Sequence, residues 1–180
     1  MTSLTSDQAA FMLHALGLPA LKAEHAMTSA IIAAMPPGRA DYRPHADSRS
    51  AFDLAWHIVS AEIKYLDAIA AGVFPHDLKP IPDEVREPSD ILAWYTGRFD
   101  PAVRRLEQTS GDELMRMVDF YGLRTFPAIM LLQLILNHTI HHRGQLSAYL
   151  RPMGAKVPSL YGPSYDAGGF TGGTVSRNAG

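Results

Sequence analysis

The sequence contains no cysteine. Disulfides, thiolate nucleophiles and cysteine-based zinc sites are therefore excluded, and any metal must be held by histidine or carboxylate. Charge is scarce as well. Asp, Glu, Lys and Arg make up 19% of the 180 residues, and 16 basic against 18 acidic side chains leave a net charge of -2. No sequence-wide positive field exists to gather nucleic-acid phosphates or an anionic membrane, so neither is expected as a partner. Long apolar runs are missing too. No segment offers about 18 uninterrupted apolar residues, and Met1 to Leu16 lacks the basic and apolar regions of a secretory leader. A cytoplasmic location is the expectation.

Hydrophobic residues, at 47%, are plentiful enough for a real core in a single domain of this length. Their spacing is mostly helical. Thr5 and Gln8 have capping-box spacing ahead of a short helix to Leu16 that Gly17 and Pro19 end, and apolar positions then recur from Leu18 to Met35, where Pro36-Pro37-Gly38 stops them. Arg39 to Asp47 reads as a loop. Ser50 and Asp53 cap a helix from Ala51 to Ala71, closed by Gly72. Four prolines between Pro75 and Pro88 mark a long crossover, after which Ser89 caps a helix toward Leu106 that Pro101 should kink or split. Gly111 to Thr125 suits either a short helix or a brief extended piece. Phe126 to Leu150 is the most apolar helix and ends at Pro152 and Gly154. Four long helical segments without a confident strand pair predict an all-α four-helix bundle, in which each apolar stripe is buried against the others.

Eight histidines occur, at positions 14, 25, 45, 57, 76, 138, 141 and 142. His138 and His142 stand one turn apart on the last helix, within about 40° of each other and about 6 Å along its axis, so both imidazoles can grip one ion. They share a stripe with Leu131, Leu134, Ile135, Gln145 and Tyr149 that faces the core at its start. A pair of neutral, hydrogen-bonded core histidines is the competing reading. His141 lies about 60° from His138 and 100° from His142, off the shared face. A third ligand must come from another helix, and His14, His25, His57 and Glu62 are all candidates. His57 lies on a flank between two apolar stripes of its helix, beside Asp53, Ala61 and Ala68; Asp53 reads as a capping residue and as an alternative partner for His57. Arg143, about 140° from His138, reads as a packing or ion-pair residue, and Gly144 as a point of close helix contact. Gln145, one turn beyond His142, is placed either to orient a ligand or to make an ordinary hydrogen bond. Tyr161 and Tyr165 follow in a Gly-Pro loop, packing there or folding over the pocket.

The run Asn137-His138-Thr139-Ile140-His141-His142-Arg143-Gly144-Gln145-Leu146, with Tyr149 to Gly154 and Val157 to Ser164, resembles the C-terminal signature of the DinB (DinB/YfiT-like) family. Ser50 to Ile58, with Tyr42-Arg43-Pro44 ahead of it, resembles the same family's second-helix motif. The likeness spans about residues 18–166, leaving 1–17 as an N-terminal extension and 167–180 as a Gly-rich tail expected to be flexible. It implies a four-helix bundle with a long crossover between the second and third helices. It further implies that His57, His138 and His142 hold a divalent metal, zinc or nickel before iron, with an open coordination position. Some relatives use a low-molecular-weight thiol such as mycothiol, bacillithiol or glutathione, so a thiol-dependent S-transferase is the leading expectation. A non-catalytic metal-binding or interaction protein and a metal-dependent hydrolase are the alternatives. A small-molecule substrate or thiol and a homodimeric state are the implied partners.

Overall fold

A computed structural model of the chain describes residues 4–77 and 80–167. The expected tail therefore lies outside the described residues from position 168 onward. Helix α1 (Ser6–Phe11) opens with the Thr5–Gln8 capping box and runs through a π-helical stretch, Met12–Gly17, straight into α2 (Leu18–Ala33). Helices α3 (Ala51–Ala71), α4 (Pro88–Glu107) and α6 (Met130–Leu150) complete the bundle. A single-turn helix α5 (Gly111–Leu114) and an antiparallel hairpin of β1 (Met117–Phe120) and β2 (Arg124–Pro127) join α4 to α6. The bundle is the expected all-α fold. None of the described helices is long and apolar enough to cross a membrane.

The physical reasons are local for the ends and tertiary for the middle. Ser50 accepts from the Asp53 backbone N–H at the start of α3, and Gly72 closes the helix at φ 67°, a left-handed conformation costly for any side chain. Helix α3 buries residues on both flanks, Trp56, Val59 and Ile63 on one and Leu54, Ile58 and Ile69 on the other, because it packs against α4 and α6 at once. Four expectations need correction. Gly17 does not end the first helix; its missing side chain lets the π-helical turn lie against Leu132, where a Cβ would overlap, and the helix continues. Helix α4 is capped by Glu87, with Pro88 in its first turn and Asp90 completing a capping box, and not by Ser89. Pro101 does not split it either, since Tyr95, Phe99, Ala102, Val103 and Leu106 form one buried stripe on both sides of the proline. Helix α6 starts at Met130 because Phe126 and Pro127 belong to β2.

Residues 4–17 are fastened to the bundle. Ala9 and Leu13 are fully buried, Ser6 Oγ donates to Asp112 Oδ1 at 2.5 Å, and Gly111 has no room for a Cβ against the Ser6 carbonyl. At the opposite end of that connection, Tyr121 and Gly122 turn the hairpin with positive φ, and Asp119 accepts from the Gly122 N–H. Phe120 and Tyr121 pack on Phe74, which meets Tyr65 of α3, so the hairpin closes over the crossover beside the histidines.

Candidate metal centre

His57 is carried by α3 two turns after its N-cap, and His138 and His142 by α6 one turn apart. The packing of α3 against α6 brings the three rings together. His138 Nε2 lies 3.0 Å from His57 Nε2, and His57 Nε2 lies 3.3 Å from His142 Nε2. All three ring centroids are within 4.4 to 4.8 Å of one another, edge to face. These spacings are close to the roughly 3.3 Å between ligands of a tetrahedral ion with metal–nitrogen bonds of about 2.05 Å.

Burial lowers the pKa values of His57 and His138 to about 4, and the positive charge of Arg49 and of neighbouring imidazoles adds to the shift. His142, less deeply set, is lowered by burial as well. At neutral pH the rings are therefore uncharged, and each presents either an N–H or a lone pair at Nε2; with all three lone pairs turned inward, the cluster is able to share one cation. The donor set fits a divalent metal, and among the described residues these three form the histidine and carboxylate group able to hold one.

The remaining histidines lie elsewhere. His25 stacks on Phe99 at 3.8 Å and against Tyr95 at 4.3 Å between α2 and α4, and burial takes its pKa to about 4. His14 and His45 are exposed, and His76 lies beside Asp119 of the hairpin. Asp53 is held by Arg43 at 3.0 Å and accepts from Ser50 Oγ, so it does not pair with His57; the cap of α3 is Ser50, and the Asp53 carboxylate supports that residue instead of capping a backbone N–H itself. His141 points off the shared face, as its angle on the helix predicts, but its Nε2 is 3.2 Å from Gln145 Nε2, while Gln145 Oε1 is 2.7 Å from His142 Nδ1. His138 Nδ1 is buried without a protein partner.

The histidine stripe of α6 faces the core at its start, where Leu131 and Ile135 are fully buried although Leu134 is 40% exposed; beyond that point the buried line runs through Leu132, Thr139, Leu146 and Leu150, centred about 60° and 100° round from His142 and His138 respectively. Along that buried line the sequence conceals a second polar cluster. Glu62, 1% exposed, accepts from Tyr95 Oη at 2.7 Å and Thr139 Oγ1 at 3.0 Å. Burial raises its pKa to about 7 although both hydroxyl bonds oppose the rise. Glu62 is thus committed to the core and is not the third ligand. Arg143, 2% exposed, pairs with Glu24 at 2.5 Å and donates to the Glu24 carbonyl, Thr28 Oγ1 and the Tyr161 hydroxyl. It is the ion-pair residue its angle suggests. Tyr161 packs by its hydroxyl into that pair, Tyr165 is 84% exposed, and Gly144 has open space where its place in the sequence predicts a helix contact.

A helical bundle with a three-histidine cluster between two helices, able to hold a metal ion, is the class that fold and site define. The DinB family model matches residues 12–169, and the chain belongs to that family. The chain is 33% identical over 117 residues to the uncharacterised Bacillus subtilis protein YjoA, covering 63% of this chain and 73% of that one. It is 29% identical over 113 residues to uncharacterised YrdA of the same organism, covering 62% of this chain and 65%, just under two thirds, of YrdA. The crystal structure of DinB-like YjoA superposes with a TM-score of 0.66 at 26% identity, over 78% of this chain and 94% of that one. A DinB-like protein from Bacillus cereus shares the fold with a TM-score of 0.67 at 24% identity, over 80% and 95% of the two chains.

Proposed function

We propose that the protein binds a divalent metal through Nε2 of His57, His138 and His142 and acts as a metal-dependent enzyme of the thiol-dependent S-transferase type. The observation that carries this reading is the convergence of three neutral imidazole nitrogens, two of the separations being 3.0 and 3.3 Å. Zinc and nickel suit such a donor set, and iron accepts it too. Three protein ligands leave at least one position for an exogenous group. A bound ion supplies a Lewis acid that favours the deprotonated form of a sulfur or oxygen ligand.

The residues around the cluster favour an incoming thiol over a hydrolytic reaction. A hydrolase of this kind needs a free general base, and the carboxylates of α3 that flank His57 are engaged: Asp53 with Arg43 and Ser50, Glu62 with Tyr95 and Thr139. Arg49, exposed and just ahead of the α3 N-cap, adds positive charge that acts on all three imidazoles and favours an anionic partner. A low-molecular-weight thiol bearing carboxylates fits that field, and its sulfur replaces the cysteine this chain does not have. The working form is proposed to be a homodimer acting on a small molecule.

Metal analysis of protein purified without a nickel column tests the first part, and one ion per chain is the expected result. Calorimetry with mycothiol, bacillithiol and glutathione in two buffers of different ionisation enthalpy tests the second. Proton release on thiol binding is expected and should vanish in His138→Ala. If none of the three thiols binds the metal-loaded protein, the transferase reading fails and a non-catalytic metal protein or a hydrolase replaces it.

A further inference from the structure

Gln145 bridges two histidines with the two unlike ends of one amide. Its Oε1 is 2.7 Å from His142 Nδ1, and its Nε2 is 3.2 Å from His141 Nε2. An amide oxygen only accepts and an amide nitrogen only donates, so each histidine must present the complementary atom. In this arrangement His142 Nδ1 carries the proton and donates, leaving Nε2 as a bare lone pair aimed at His57 Nε2, 3.3 Å away. His141 Nε2 is then the acceptor, and its proton sits on Nδ1. The reverse amide orientation would donate into His142 Nδ1, place the hydrogen on Nε2 and point an N–H at the position a cation would occupy.

We infer that Gln145 is a positioning residue that, anchored by His141, holds His142 in the tautomer whose Nε2 can ligate a metal. The geometry follows from helix spacing: Gln145 is four residues from His141 and three from His142, so one side chain reaches both on the solvent side of α6. His141 acquires a role its angle denies it as a ligand, because an acceptor at its Nε2 favours the productive orientation of the amide. Metal-bound histidines commonly have the other ring nitrogen held in this way, and loss of such a partner weakens binding about 10–100-fold. His138 has no such partner, its Nδ1 being buried and unpaired, so the bridge at His142 is the protein's means of setting a tautomer within the pair on α6.

The inference rests on the metal reading, and two measurements separate the failure of one from the failure of the other. Zinc affinity by chelator competition should fall about 10–100-fold in Gln145→Ala and in Gln145→Leu, which lack the acceptor, and should recover to within a few-fold in Gln145→Glu, which keeps it. His141→Ala should cost only a few-fold, since the 2.7 Å bond remains. Gln145 is exposed, so none of these variants should change the helical circular dichroism. Nitrogen-15 shifts of metal-free protein should show His142 with its proton on Nδ1, moving toward the Nε2–H form in Gln145→Ala. Equal zinc affinity in wild type and Gln145→Ala, or equal loss in Gln145→Ala and Gln145→Glu, overturns the proposal. If the wild type binds no zinc, the metal reading fails, and a His142 tautomer unchanged by Gln145→Ala overturns the positioning role independently.

Discussion

Helix α6 carries two polar clusters on adjoining faces, and they are built on opposite principles. On the buried face, Thr139 and Arg143 meet groups of complementary kind: hydroxyls donate to the Glu62 carboxyl, and the guanidinium meets Glu24, Thr28 and Tyr161. On the neighbouring face, His138 and His142 meet a third copy of themselves, His57, ring nitrogen against ring nitrogen. The first cluster is complete without any further partner, as buried polar groups in a core must be. The second brings together three imidazole nitrogens able to hold a cation. Near-identical placement on one helix therefore separates a structural network from a candidate metal site, and the discriminating feature is whether the partners are complementary or alike.

That contrast breaks most visibly at Arg143. Replacing Arg143 by Ala leaves the Glu24 carboxylate without its counter-charge and Tyr161 without a donor, and urea denaturation should show a loss of about 3–5 kcal/mol. Zinc affinity of the folded variant should be nearly unchanged, although Arg143 adjoins His142. Large metal loss from this variant would merge the two clusters into one site.

Glu62 sharpens the same boundary through pH. Its native pKa is raised to about 7 by burial, against 4.5 for the free group, so the folded state holds the proton more tightly than the unfolded one. Its carboxyl therefore contributes a stability that is greatest below about pH 4.5, declines as pH rises and is fully lost above about 7. The full difference is on the order of 3 kcal/mol. The stability of Glu62→Gln relative to wild type should improve by about that amount between pH 5 and 8, a comparison in which the histidines common to both proteins cancel. A flat difference would mean that Glu62 titrates normally.

The histidine face should respond in the reverse manner. His142→Ala should lower zinc affinity by more than about 100-fold, beyond the loss typical of an outer-shell residue, while unfolding in the absence of metal changes little. Metal removal from the wild type should leave its helical circular dichroism intact, because the four long helices have a core of their own; saturation at about 1,000 times Kd should raise stability by about 4 kcal/mol through mass action. An unfolded apo protein would make the cluster a structural one.

The smallest effect is expected at Gly144, which lies on the side of α6 away from both faces, exposed and with no neighbouring atom within 4 Å of where a Cβ would stand. Gly144→Ala should stabilise by about 0.5–1 kcal/mol by restricting the unfolded chain, with zinc affinity unchanged. Destabilisation would show that the residue makes a contact the fold does not display.

The four long helices, the Thr5 and Ser50 caps, the Gly72 stop and the His138–His142 pair are all legible from the order of residues, because each depends on neighbours within about one helical turn. The family motifs pick out His57 from His14, His25 and Glu62, a choice that helix pattern alone leaves open. The short hairpin is not legible: its strands are four residues each, and the Gly111 to Thr125 segment suits helix and strand equally well. Nor is the buried character of Glu62, whose place on α3 becomes the core only when Tyr95 of α4 and Thr139 of α6 pack against it.

By itself, the sequence determined the angular relations within each helix, hence that His138 and His142 share a face and that Arg143 does not. Only the tertiary structure decided which way those faces turn: it rotated Thr139 and Arg143 into the core, left the histidine stripe at its edge, and brought His57 across 81 residues to meet it. The reason is that helical periodicity sets differences of angle but no absolute phase. The phase follows from where the apolar surfaces of α2 and α3 leave room, and that is a property of the packed bundle.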